Sequence, residues 1–269
     1  MSTPAPRVLD LPRVIGHRGA AAAAPENTLA SLRKAHELGA RWVEFDVKLS
    51  RDGHPILAHD DQLERTTSGS GRFAERTLAE IERLDAGSWF APAFAGERVP
   101  RLEEALALCR ELGLGINLEI KPCRGRALET ARVTLETLLA DWPDDLPLPL
   151  ISSFVPACLA IAREIAPEVP RGYLAGRLPW RWQERLAVYG CSTLNLDHRQ
   201  LLVRQRAAVV ATGVPLLLYT VNDPGMVREQ LSNGVSAVFT DRVAEVLAAL
   251  DGGAAASNGA SGRPGGPAP

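Results

Sequence analysis

The chain has 269 residues, 46% of them hydrophobic, and a formal net charge of −2. That length and apolar content suffice for one large or two small cores, and the near-neutral balance offers no basic face that would bring it to nucleic acid or an anionic membrane. Four widely spaced cysteines, Cys109, Cys123, Cys158 and Cys191, make neither a C-x-x-C pair nor a zinc-finger pattern, and read as small core hydrophobes in a reducing compartment.

Residues 1–12 form an N-terminal extension in which Pro, Arg and Asp alternate with short apolar pieces. A secretory leader needs a charged start followed by a clear apolar stretch, so this pattern points to the cytoplasm, and no long apolar segment predicts membrane insertion. From there, short apolar runs predict strands at 13–17, 41–49, 114–120, 148–154, 171–175, 192–196, 215–221 and 237–240. Helical periodicity falls between them at 28–38, 101–112, 127–139, 155–165, 180–189, 200–212 and 225–232. Strands alternating with helices over about 250 residues predict an α/β fold, a (β/α)8 TIM barrel forming one catalytic domain over 13–250.

Two stretches depart from the repeat. The connection after the second strand, about 51–100, is too long for a simple βα loop, and its Phe73, Leu84, Trp89, Phe90 and Phe94 predict a folded insertion over the barrel mouth. Residues 251–269 are almost wholly Gly, Ala, Ser and Pro, and predict a disordered tail.

In such a barrel the reactive groups stand at the C-terminal ends of strands. The first strand ends in His17-Arg18-Gly19, the second carries Glu44-Phe45-Asp46, the third ends Glu119-Ile120-Lys121 and the seventh ends Tyr219-Thr220-Val221-Asn222. Strand alternation puts Glu44 and Asp46 on one face, where two like charges in a partly dry site need a compensating cation or hydrogen-bond donors. Asp52-Gly53 reads as a two-residue hairpin turn, whose register sets Asp46 opposite His59 and Pro55 at a non-hydrogen-bonded position.

Glu44, Asp46 and Glu119 thus make an all-oxygen donor set that suits Mg²⁺, Ca²⁺ or Mn²⁺ better than zinc. Arg18 and Lys121 add positive charge for a phosphoryl group, and His17 and His59 form a proton-transfer pair working near neutral pH. Taken singly, each carboxylate could instead be a structural partner of Arg18, Lys48 or Lys121. Their coincidence at one mouth favours phosphodiester cleavage.

At these residues the sequence resembles the glycerophosphodiester phosphodiesterase family, in its cytosolic bacterial branch. The resemblance runs from about residue 13 to 248 and rests on His17-Arg18-Gly19, Pro25-Glu26-Asn27-Thr28, Glu44-Phe45-Asp46-Val47, His59-Asp60, Leu63-Glu64-Arg65-Thr66-Thr67, Glu119-Ile120-Lys121, Ser152-Ser153-Phe154, Tyr219-Thr220-Val221-Asn222 and Thr240-Asp241. It implies a TIM barrel with a family-specific insertion after the second strand, and metal-dependent hydrolysis of small glycerophosphodiesters such as glycerophosphocholine and glycerophosphoethanolamine to sn-glycerol 3-phosphate and an alcohol. By matching position it implies Glu44, Asp46 and Glu119 as metal ligands, His17 and His59 as general acid and base, Arg18 and Lys121 as phosphate contacts, and Tyr219, where many relatives carry Trp, in the wall against the glycerol. Attack through a cyclic phosphate and direct attack by water both fit the resemblance. A phospholipase-like enzyme acting on lysophospholipids is the alternative enzyme reading, and a noncatalytic barrel that binds glycerophosphodiesters is the alternative of another class.

Overall fold

The computed structural model describes residues 9–143 and 146–258. In chain order its strands are β1 (Val14–Gly16), β2 (Trp42–Leu49), β3 (Pro55–Leu57), β4 (Gly115–Ile120), β5 (Leu150–Ser153), β6 (Arg171–Ala175), β7 (Thr193–Asp197), β8 (Leu216–Tyr219) and β9 (Ala237–Thr240). The sheet runs β1-β9-β8-β7-β6-β5-β4-β2, and pairing of β1 with β2 closes it. All of these pairs are parallel; only β3 is antiparallel, hanging on β2 outside the closed ring. With helices between the strands, this is the expected (β/α)8 TIM barrel, and each predicted barrel strand lies within two residues of the observed one.

The helices are α1 (Leu29–Glu37), α2 (Leu78–Ile81), α3 (Leu102–Leu112), α4 (Ala127–Asp141), α5 (Pro156–Ile165), α6 (Trp182–Tyr189), α7 (Val203–Val210), α8 (Pro224–Ser232) and α9 (Val243–Asn258). Local chemistry sets their starts: the Thr28 side chain caps α1, and Asp223 followed by Pro224 opens α8. The helix predicted to begin at Gln200 begins at Val203, because a 3₁₀ turn over His198–Gln200 comes first, held by the Asp197 carboxylate accepting from Arg199 N at 3.0 Å. Helix α9 runs to Asn258, into the stretch expected to be a disordered tail from 251; three consecutive alanines, 254–256, favour helix there. The rest of that tail, 259–269, lies outside the described residues, as does 1–8 of the N-terminal extension.

Every residue of β2 is buried, as expected for a strand covered on both faces. Val43, Phe45 and Val47 join a core cluster with Leu32 of α1 and Leu102 and Leu106 of α3, so the alternate residues Trp42, Glu44, Asp46 and Lys48 face the barrel interior. The floor of that interior is an apolar plug of Ile15, Trp42, Leu150, Leu217, Ala237 and Phe239, with Leu9 and Leu11 packed against it. Gly115 sits beside Trp42, where an added Cβ would lie 2.3 Å from the indole, so the plug needs the side-chain-free space that only glycine leaves.

The insertion folds around its own small core of Ile56, Ala58, Leu63, Phe73, Ile81, Ala86 and Val99. Its hairpin differs from expectation. The loop has three residues, Arg51-Asp52-Gly53, with Gly53 at φ +86° and Ser50 N bonded to His54 O at 2.9 Å. Ser50 Oγ accepts from His54 N and donates to Asp52 Oδ1, which stabilises a type I turn followed by a left-handed glycine in place of a two-residue turn. The register is therefore Val47 with Leu57, Lys48 with Ile56 and Leu49 with Pro55, and Ala58, not His59, stands across from Asp46. Pro55 still occupies a non-hydrogen-bonded position, as expected.

Candidate active site

Strand register assembles the carboxylates. β2 and β4 pair with Asp46 beside Glu119 and Glu44 beside Asn117, all on the inner face. One oxygen from each of Glu44, Asp46 and Glu119 lies within 4.8 Å of the others, and all three residues are buried. The charges are not equally compensated. Burial works to raise Asp46, but Lys121, Arg18 and His59 and a hydrogen bond from Asn27 outweigh it and hold the carboxyl below the usual range. Burial, then the charges of Asp46 and Glu119, push Glu44 well up, and burial followed by Asp46 pushes Glu119 up to about 7.

The donor set fits a hard divalent cation. Glu119 Oε1 is buried and carries no hydrogen bond within the protein, although Lys121 Nζ lies 3.2 Å away as an ion pair. Two oxygens on opposite sides of one ion stand about 4.2 Å apart for Mg²⁺ and about 5 Å for Ca²⁺, so this all-oxygen cluster could hold one such ion.

The cations close the site from both sides. Lys121 Nζ is 3.1 Å from Asp46 Oδ1, and Arg18 Nε is 3.4 Å from Asp46 Oδ2. Arg18 N donates to Glu44 Oε2 at 2.9 Å, while its Nε is buried without a hydrogen-bond partner. Lys48, the other candidate partner, turns instead to Asp61, with Nζ to Oδ1 at 2.6 Å.

His17 stands 3.9 Å from Glu44 through Nε2, and its Nδ1 lies 2.7 Å from Asp241 Oδ1. His59 follows the end of the β3 ladder, where Leu57 N has already turned away to Pro100 O, and its Nδ1 lies 2.6 Å from Asp60 Oδ1. Burial lowers the His59 pKa, with Arg18 and Lys121 acting the same way and Asp46 and Asp60 opposing. Both histidines, Arg18, Glu44, Glu119 and Lys121 line one cavity of about 200 Å³, and Asp46, fully buried, has a carboxylate oxygen within 4.8 Å of those of Glu44 and Glu119. Phe154 and Tyr219 form its far wall with rings 6.0 Å apart, and the Tyr219 hydroxyl donates to Ala175 O at 2.9 Å. The structure thus brings all eight singled-out side chains to the barrel mouth.

Several residues around them carry no predicted role. Asn27 clamps Asp46, donating to Oδ2 at 2.9 Å and accepting from Asp46 N at 3.1 Å. Asn222 donates to Asp241 Oδ2 at 2.7 Å and accepts from Asp241 N at 2.9 Å, so it fixes the carboxylate that holds His17. Glu26, Asp60 and Arg65 form a further ion-pair chain beside His59. All of them lie within the motifs that carry the family resemblance, in polar segments that abut the strand ends, but neither their residue types nor their spacing assigned them a role. Arg18 and Asn27 also adopt left-handed backbone at φ 50° and 56°, a conformation that non-glycine residues keep only when their surroundings enforce it.

Comparison with known proteins gives consistent findings. Residues 17–245 match the model of the Glycerophosphoryl diester phosphodiesterase family. The chain is 34% identical over 232 residues to a glycerophosphodiester phosphodiesterase of Caldanaerobacter subterraneus subsp. tengcongensis, covering 85% of this chain and 93% of that protein. It is 30% identical over 247 residues to a glycerophosphodiester phosphodiesterase of Bacillus subtilis, covering 84% and 82% respectively. Among solved structures, a phosphodiesterase of Oleispira antarctica in complex with the product sn-glycerol-3-phosphate shares 43% identity, with a TM-score of 0.87 over 90% of this chain and 97% of that one.

Proposed function

This chain belongs to the glycerophosphoryl diester phosphodiesterase family and is a glycerophosphodiester phosphodiesterase; on that premise we propose that it hydrolyses small glycerophosphodiesters, such as glycerophosphocholine and glycerophosphoethanolamine, to sn-glycerol 3-phosphate and an alcohol, with a divalent cation and two histidines. The observation that carries this reading is the convergence of three buried carboxylates, two histidines and two cations on one cavity. Glu44, Asp46 and Glu119 would hold Mg²⁺ or Ca²⁺, with Mn²⁺ a further candidate, and the bound ion would polarise a phosphoryl oxygen.

The chain's own groups do the rest. Arg18 Nε, a buried donor with no hydrogen-bond partner, and Lys121 Nζ meet the non-bridging oxygens and stabilise charge that grows on them. Each histidine has its Nδ1 tied to an aspartate, which leaves Nε2 for proton transfer. One imidazole takes the proton of the attacking hydroxyl, water's or the neighbouring glycerol's, as the new P–O bond forms. The other gives a proton to the alcohol as its P–O bond breaks; where the glycerol hydroxyl attacks, water then opens the resulting cyclic phosphate with the two histidines in reversed roles, which leaves glycerol 3-phosphate. Tyr219 and Phe154 supply the apolar wall for the glycerol carbons.

We place this activity in the cytoplasm, where four free cysteines fit a reducing environment. Among the described residues no helix is long and apolar enough to cross a membrane. The lysophospholipid-cleaving alternative is not favoured by the family match or the relatives' names. The test is hydrolysis of glycerophosphocholine, glycerophosphoethanolamine and a lysophospholipid, with and without EDTA, then with Mg²⁺, Ca²⁺ or Mn²⁺ restored. Glycerol 3-phosphate should come from the first two, stop with EDTA and return with a cation. Its absence throughout would sink the reading.

A further inference from the structure

Arg65 lies in the insertion, outside the barrel, and its side chain is nearly half exposed. It nevertheless makes three charge-assisted hydrogen bonds that end on the chemistry. Its Nε donates to Asp60 Oδ2 at 2.5 Å, and Asp60 Oδ1 holds His59 Nδ1 at 2.6 Å. Its Nη1 and Nη2 donate to Glu26 Oε2 and Oε1, both at 2.7 Å, and Glu26 Oε1 also accepts from Arg18 Nη1 at 2.7 Å. One guanidinium therefore ties the carboxylate that orients a histidine to the carboxylate that orients the arginine facing the phosphate. The fork geometry matters, because a planar guanidinium presents donors on two edges at once and an ammonium cannot.

We propose that Arg65 is a positioning residue for this reaction, fixing His59 through Asp60 and Arg18 through Glu26 so that the insertion and the barrel deliver both groups to one phosphate. The inference rests on the reading that His59 and Arg18 act on the phosphodiester. Without Arg65, the Asp60 carboxylate is free to turn about its Cβ–Cγ bond and the imidazole loses its fixed orientation. Glu26 would keep only Arg18, and Arg18 already has Asp46 as a second attractor at 3.4 Å. Loss of the bridge therefore loosens two transition-state contacts together. Glu26 is strongly held: burial pushes its carboxyl up, but the hydrogen bonds and charges of Arg65 and Arg18 outweigh that and leave it below the usual range.

The test is steady-state kinetics of the cation-loaded full chain on glycerophosphocholine, with wild type and His59→Ala as references. Wild-type turnover that His59→Ala lowers by about 10² or more supports the parent reading; failure of either reference overturns that reading and this inference with it, whereas the Arg65 and Asp60 variants overturn this inference alone. Arg65→Ala should then lower kcat about 10- to 100-fold with KM changed less than threefold. Asp60→Asn should do the same, and the double variant should lose no more than the worse single, because both cut one chain of contacts. Added guanidinium chloride at millimolar, non-denaturing levels should restore part of the Arg65→Ala turnover through the exposed gap and leave wild type unchanged. Arg65→Lys, which keeps charge and stem if the alanine variant does not fold, should stay well below wild type. Arg76→Ala removes an exposed arginine from the same insertion and should stay within twofold of wild type. Normal kcat in a folded Arg65→Ala or Arg65→Lys, additive losses in the double variant, no response to guanidinium, or an equal loss in Arg76→Ala would each overturn the proposal.

Discussion

Raising the pH from 5 to 7 should tighten cation binding about 50-fold, because the cation must displace a proton from Glu119. Burial and the Asp46 charge push that carboxyl up to about 7, so in the cation-free protein it is almost wholly protonated at pH 5 and half so at pH 7. Competition between one proton and the ion changes the apparent constant by the ratio of free carboxylate, about 1.7 decades or ~2 kcal/mol over this window. Above pH 7 the remaining gain should be no more than about twofold and nearly complete by pH 8. Glu44, also held up by burial and its neighbours, acts in the same direction and can only steepen the slope. Isothermal titration of chelator-treated protein with Mg²⁺ or Ca²⁺ measures it, and repeating the titration at pH 6 in two buffers of different ionisation enthalpy counts the protons released. We expect close to one or more. Glu119→Gln should remove about one proton from that count.

The sign extends to stability. Glu119 has its folded pKa raised above the ordinary 4.5, so its contribution is full below that value and is lost as pH rises through about 7. Bound cation removes this loss. The gap in Tm between cation-loaded and chelated protein should therefore widen from pH 5 to 7. A cation affinity flat to within threefold over that range, with no proton release at pH 6, would refute the electrostatic account of the carboxylate cluster.

His17→Ala and His59→Ala should each lower kcat by about 10² to 10⁴ if they transfer protons in the transition state, and near-normal turnover in either would remove that residue's role. Asp241→Asn keeps the shape but replaces the charged acceptor of His17 Nδ1, so kcat should fall about 10- to 100-fold with little change in KM, measured on the folded, cation-loaded protein. Gly115→Ala places a Cβ 2.3 Å from the Trp42 indole and should cost about 1–3 kcal/mol of stability, read as a lower Tm, with kcat per folded molecule within twofold of wild type.

How much of this was legible depends on what periodicity controls. Strand alternation fixes faces, and a carboxylate inside an otherwise apolar strand is conspicuous because it is costly, so Glu44, Asp46 and Glu119 stand out and parallel register brings them together. The residues that hold the chemistry in place lie in loops, where no period applies. Glu26, Asp60, Arg65 and Asp241 meet His17, His59 and Arg18 only through the folded paths of the loop after β1, of the insertion and of the turn after β9, and nothing in their spacing encodes those paths.

His59 shows the difference most sharply. A two-residue turn would bring it to Asp46 by direct cross-strand opposition. The real turn is one residue longer, because the Ser50 side chain bonds His54 N and Asp52, and a slip of one residue along a continuing strand would have sent His59 to the opposite face. It still reaches the cavity because the ladder stops. Leu57 N leaves β2 for Pro100 O, Ala58 makes the last contact with Asp46 O, and the Asp60–Arg65 chain, not the sheet, then sets the imidazole's direction. The location of this histidine is therefore a property of the insertion, so truncating the insertion should abolish turnover even in a variant whose barrel and three carboxylates are intact.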